Sequence, residues 1–137
     1  MASIYKDIPI DAPAAEVWDA VRDFGAVHTR LVPGFVTDCQ LDGEARIVTF
    51  ANGNVAREIS VGCDDARRRL AYAIKSERMT QHSASVQVVA DGPGCRIIWI
   101  TDVLPHDLAP YIDSQMDQGA LAFQRAFGGK AKQSARM

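Results

Sequence analysis

Three residues in the middle of the chain carry side chains able to move or hold a proton: Glu58, Tyr72 and His82. A carboxylate or an imidazole can serve as a general base, and a phenol can donate a hydrogen bond to an oxygen on which negative charge develops. Together they would suit proton abstraction beside a carbonyl. Without turnover, the same groups would orient the polar end of a bound molecule. Their spacing alone does not make them converge. Tyr72, set among Leu70, Ala71, Ala73 and Ile74, reads as buried with a hydroxyl that needs a partner. Glu58 either faces inward, where an unpaired carboxylate is expensive, or pairs with Arg57 or Arg46 on an exposed strand face. His82 opens a strand, at a solvated edge or in a pocket. His28, ahead of Pro33-Gly34, reads as a surface helix histidine, and Asp102 with Arg96 as an ion pair on one strand face.

Other chemistries find no support. Cys39, Cys63 and Cys95 are odd in number and far apart, with neither CxxC nor metal-ligand spacing, and read as reduced, half-buried strand residues. There is no Gly-rich phosphate loop and no nucleophile motif, so no cofactor and no metal are expected. A net charge of -2 over 137 residues offers no footprint for nucleic acid or an anionic membrane. The basic run Arg67-Arg68-Arg69 follows Asp64-Asp65 and reads as a solvated hairpin. The opening MASIYKDIPI lacks the apolar core of a signal peptide and no segment approaches a membrane span, which makes a cytoplasmic protein the default expectation.

The elements that must position these residues follow from periodicity and turn chemistry. A short β-branched strand at 4–10 leads into a helix with Pro13 in its first turn and Ala14, Val17, Trp18 and Val21 on its buried side. A second short helix at 24–31 ends at Pro33-Gly34. Strands are expected at 35–41, 46–50, 55–63, 70–75, 82–90 and 95–103, separated by short breaks such as Asp42-Gly43 and Asp91-Gly92-Pro93-Gly94. Breaks this short enforce an antiparallel meander. A long amphipathic helix follows at 107–127, capped by Asp107 and stopped by Gly128-Gly129, with a frayed tail at 130–137. The chain to residue 129 reads as one domain. One sheet must curl around this helix. On the face shown to it, bulky Ile112, Met116 and Phe123 alternate with Gly119 and Ala120, which either closes a solid core or leaves a pocket.

Ile8-Pro-Ile-Asp-Ala-Pro13 followed by Glu16-Val17-Trp18, Asp23-Phe24-Gly25 and Val32-Pro33-Gly34-Phe35 resembles the polyketide cyclase/dehydrase and lipid-transport branch of the START/Bet v 1-like helix-grip superfamily. Arg57-Glu58, the hairpin from Asp64-Asp65 to Leu70-Ala71-Tyr72, and Trp99 ahead of Pro105 extend the match over almost the whole chain. The resemblance implies an α+β helix-grip fold: a curved antiparallel sheet of about seven strands around a long C-terminal helix, with two short helices after the first strand. The chain departs from the plant abscisic-acid receptors of that superfamily at the gating loop, where Phe50-Ala51-Asn52-Gly53-Asn54 replaces Ser-Gly-Leu-Pro-Ala, which implies a different ligand.

The resemblance further implies that Glu58, Tyr72, Ile74, His82, Ile98 and Ile100 face a pocket, with Ser60, Ala84 and Val86 as neighbours, and that Ile112, Met116, Ala120 and Phe123 close the other wall. Three functions follow. The first is a carrier or binding module for a small hydrophobic or aromatic molecule, lipid or polyketide-like. The second is a cyclase/dehydratase-type enzyme using Glu58 or His82 as base and Tyr72 as donor. The third is a filled core whose outer sheet face binds a protein, a second copy of the chain in a homodimer included.

Overall fold

Strands joined by turns too short for a crossover can pair only with their sequence neighbours, in antiparallel fashion. The computed structural model describes residues 2–127. In it β2 (Val36–Asp42), β3 (Ala45–Phe50), β4 (Val55–Asp64), β5 (Arg69–Lys75), β6 (Gln81–Asp91) and β7 (Gly94–Leu104) form such a meander. The first strand, β1 (Ser3–Ile10), pairs antiparallel with β7 and completes a seven-stranded sheet in the order β1-β7-β6-β5-β4-β3-β2. Each expected strand lies within two residues of its observed bounds.

Two helical segments follow β1. Helix α1 (Ala14–Arg22) starts after Pro13, whose fixed φ suits a helix entry and whose missing N–H costs nothing there. Its face of Val17, Trp18 and Val21 is buried against β6 and β7, and full burial of each such side chain stabilises by about 1.5–3 kcal/mol. Trp18 Nε1 and Arg22 Nε both donate to Asp65 Oδ1, at 3.0 and 2.9 Å, which ties α1 to the β4–β5 hairpin. The second segment is a 3-10 turn, Phe24–Ala26, running into a π-helical turn, Val27–Leu31.

The long helix begins later than expected: His106–Leu108 form a 3-10 turn and α2 spans Ala109–Phe127. It buries Ile112, Met116, Gly119, Ala122 and Phe123, and Lys6 of β1 holds its outer flank through Asp113 and Asp117 (2.8 Å to Asp117). The expected Gly128-Gly129 stop and the tail at 130–137 lie outside the described residues. Cys39 is half-buried, Cys95 buried and Cys63 exposed, so only the first matches the half-buried expectation. No helix among the described residues is long and apolar enough to cross a membrane.

Candidate functional site

The curled sheet and the first half of α2 do not meet along their whole length. Between them lies a cavity of about 530 Å³. Val48 and Phe50 of β3, Ala56 and Glu58 of β4, Leu70, Tyr72 and Ile74 of β5, and His82 and Val86 of β6 line the sheet side. Trp99 and Thr101 of β7 complete it. Ile112, Met116 and Phe123 line the helix side, and Val27, Leu31 and Val32 from the π-helical turn and its exit close one end. Exposed Asn54, Lys75, Glu77, Arg78 and Tyr111 stand at the mouth. There the Asn54 side-chain amide donates to the Tyr111 hydroxyl at 2.9 Å, joining the β3–β4 hairpin to α2.

Sheet register assembles the polar groups. Arg46, Glu58 and Ile74 lie side by side across β3, β4 and β5, all on the inner face. The next inward row is Ser60, Tyr72, Ala84 and Thr101. Glu58 and Arg46 are 6% and 4% exposed, and Arg46 Nε donates to Glu58 Oε1 at 2.8 Å. Arg46 Nη1 also donates to the Phe24 carbonyl at 3.1 Å, while the guanidinium lies 4.0 Å from the Phe24 ring centre and 5.3 Å from that of Tyr72. The pair thus carries its own counter-charge, with Arg46 Nη2 and Glu58 Oε2 left without a partner among the described residues.

Trp99 Nε1 donates to the Tyr72 hydroxyl oxygen at 3.2 Å. Burial, and then the Glu58 carboxylate, push the Tyr72 phenol well above its usual range, so it stays protonated at neutral pH. Burial alone pushes His82 down to about 4, which keeps its imidazole neutral, and its Nδ1 is buried with no partner among the described residues. The wall therefore offers an unoccupied phenol proton, a neutral imidazole and a carboxylate with one oxygen already engaged. Among the described residues no group of three or more His, Cys, Asp and Glu side chains is placed to hold a metal ion.

Glu58, Tyr72, Ile74, His82, Ile112, Met116 and Phe123 lie on one cavity wall or the other. Ile98 and Ile100 do not. The β6–β7 hairpin pairs Asp91 with Gly94 across a two-residue turn, so even-numbered β6 residues face odd-numbered β7 residues. With Ala84 and Val86 inside, Trp99 and Thr101 turn inward, and Ile98 and Ile100 point to the outer face. Ser60 shares the Tyr72 row but adjoins a bulge before Gly62 and is off the cavity wall, as are buried Ala84 and half-buried Ala120. At Gly119 the helix face is closed rather than open: a Cβ there would stand 2.7 Å from the Trp99 ring, which packs edge-on to Phe123. His28 is off the wall, although its neighbours Val27 and Leu31 are on it. Asp102 accepts from Ser3, and Arg96 pairs with Asp7 and Asp91, so the expected Asp102–Arg96 pair is not formed.

Known proteins share this architecture. The family described as polyketide cyclase / dehydrase and lipid transport matches residues 1–128. The chain belongs to that family. An uncharacterized protein from Bacillus thuringiensis has a similar structure, with a TM-score of 0.81 at 18% identity over 92% of this chain and 98% of its own. A START superfamily protein from Mycobacterium smegmatis gives 0.72 at 14% identity over 96% and 97%. Norcoclaurine synthase from Thalictrum flavum, in complex with dopamine and hydroxybenzaldehyde, gives 0.63 at 19% identity over 86% and 83%. These likenesses are of fold. No match was found among curated proteins. As a member of the polyketide cyclase / dehydrase and lipid transport family, the chain has the helix-grip fold of START and Bet v 1-like proteins, with the cavity between its sheet and its long helix.

Proposed function

We propose that this protein binds a small hydrophobic or aromatic molecule, lipid or polyketide-like, between the sheet and α2. The observation that carries the reading is the cavity of about 530 Å³, within the 300–1,000 Å³ usual for small-molecule sites, with an apolar wall and a few inward polar groups. Glu58, Tyr72 and His82 would hold the ligand's polar end, and Ile74, Val86, Ile112, Met116 and Phe123 its apolar body. The test is native mass spectrometry of protein purified from its host, with denaturing extraction, beside an Ile74→Trp variant that fills the cavity from β5. A one-to-one adduct lost in the variant supports the reading; an adduct retained at full occupancy would mean that the molecule binds elsewhere.

A second reading, a cyclase or dehydratase acting on a carbonyl substrate, is favoured by the neutral His82 imidazole and the unoccupied Tyr72 proton bordering one cavity. His82 or Glu58 would take a proton beside the carbonyl while Tyr72 donates to its oxygen. The norcoclaurine synthase complex shows that a protein of similar fold takes up hydroxybenzaldehyde and dopamine. Binding remains the preferred reading because Glu58 Oε1 already accepts from Arg46 and a His82 imidazole pushed down to about 4 is a weak base.

A further inference from the structure

The hydrogen-bond polarity of the cavity wall narrows the class of molecule that the proposed site would take. An indole N–H can only donate, so the Trp99 bond fixes the Tyr72 oxygen as acceptor and leaves the phenol proton to point elsewhere. Among the described residues no acceptor takes that proton. The phenol's raised pKa keeps it a donor over the physiological range.

Positive charge is equally constrained. Arg46, on the cavity wall, is the one buried cation among the described residues, and its charge is already matched by Glu58: Nε serves Glu58, Nη1 serves the Phe24 carbonyl, and the guanidinium lies over the Phe24 ring, so that only Nη2 has no partner among the described residues. A ligand carboxylate at Tyr72 would lose its water beside the Glu58 carboxylate, with only a guanidinium already paired to Glu58 to offset it. A carbonyl oxygen would meet an unoccupied donor.

We infer that the cavity selects uncharged molecules bearing a carbonyl or comparable acceptor oxygen, seated on the Tyr72 hydroxyl, over carboxylates of the same skeleton. The inference rests on the ligand-site reading above. Gly119 is part of the device, because any side chain there would press on the Trp99 ring that orients Tyr72. Lys75 and Arg78 at the mouth are exposed, and a carboxylate held there would leave Tyr72 unused. Dependence on Tyr72 therefore separates the two seatings.

Naphthalene, 2-acetonaphthone and 2-naphthoate share one skeleton and serve as probes, titrated calorimetrically at neutral pH into the full chain and its Tyr72→Phe variant. The ketone is expected to bind at least about tenfold more tightly than the carboxylate. Tyr72→Phe should weaken the ketone about tenfold, the worth of one hydrogen bond, and leave naphthalene within about twofold. Naphthalene binding with the carboxylate equal to or tighter than the ketone would overturn the inference and leave the ligand site standing. So would a ketone indifferent to Tyr72→Phe. If none of the three binds, both readings fall. The ketone-to-carboxylate ratio is read on the unsubstituted protein, so a variant that fails to fold leaves the inference open to refutation.

Discussion

Replacing Glu58 by Gln removes the charge facing Arg46 while keeping the shape of the side chain. The two side chains are 7% and 5% exposed and directly opposed on β4 and β3, so the variant leaves a guanidinium almost wholly buried without its counter-charge. Breaking a buried pair from one side costs about 3–5 kcal/mol. Two features soften this: Arg46 keeps the Phe24 carbonyl and the faces of two aromatic rings, and the adjoining cavity admits water. The expected loss is therefore about 2–4 kcal/mol, with a similar loss for Arg46→Met, which strands Glu58 instead. Replacing both, as Arg46→Met with Glu58→Gln, removes both buried charges and should lie within about 2 kcal/mol of the parent. Urea unfolding followed by tryptophan fluorescence measures all four proteins, with constant m values as the check that the unfolded states are alike. The cycle should return a coupling of about 2 kcal/mol or more. A single variant within about 1 kcal/mol of the parent, or a double variant at the sum of the singles, would refute the reasoning.

Three further outcomes are expected. Gly119→Ala places a Cβ 2.7–2.8 Å from two Trp99 ring atoms; overpacking of about 1–3 kcal/mol outweighs a gain of about 1 kcal/mol in helix propensity, and a variant more stable than the parent by urea unfolding would contradict this. His82, pushed down to about 4 by burial against 6.5 when unfolded, binds more protons in the unfolded state between those values, so its presence makes stability fall as pH drops from 6.5 towards 4. His82→Leu should flatten that part of the pH–stability curve, by up to about 3 kcal/mol before allowance for cavity water, and an unchanged slope would argue against a buried neutral imidazole. Tyr111→Phe removes the hydroxyl that accepts from Asn54, so amide exchange at residues 51–55 should quicken while global stability shifts by less than about 1 kcal/mol; unchanged exchange would mean that this bond does not restrain the hairpin.

The six meander strands and their order were legible because every connection between them carries turn residues and none is long enough for a crossover; the place of β1 beside β7 was not. Inward parity was less so. Ile97, Ile98, Trp99 and Ile100 are all apolar, and alternation gives such a run no direction. The turn length held the missing signal: a two-residue turn pairing Asp91 with Gly94 makes Ala84 and Val86 incompatible with Ile98 and Ile100 on one face. Arg46 was legible only as a partner for Glu58, because an inward arginine looks unfavourable until the carboxylate opposite it is known to face inward too. Gly119 is small for a reason outside its own helix, the Trp99 ring, and no local pattern on α2 reveals a neighbour supplied by β7.

The ligand site itself is tested most directly by isotope-filtered nuclear Overhauser spectroscopy of the labelled protein with unlabelled naphthalene. Binding between sheet and helix requires contacts from the probe to the Met116 methyl and the Val86 methyls, which border the cavity from its two sides. Contacts confined to Ile98 and Ile100 on the outer face would contradict it, as would a saturating probe with no contact to either cavity wall.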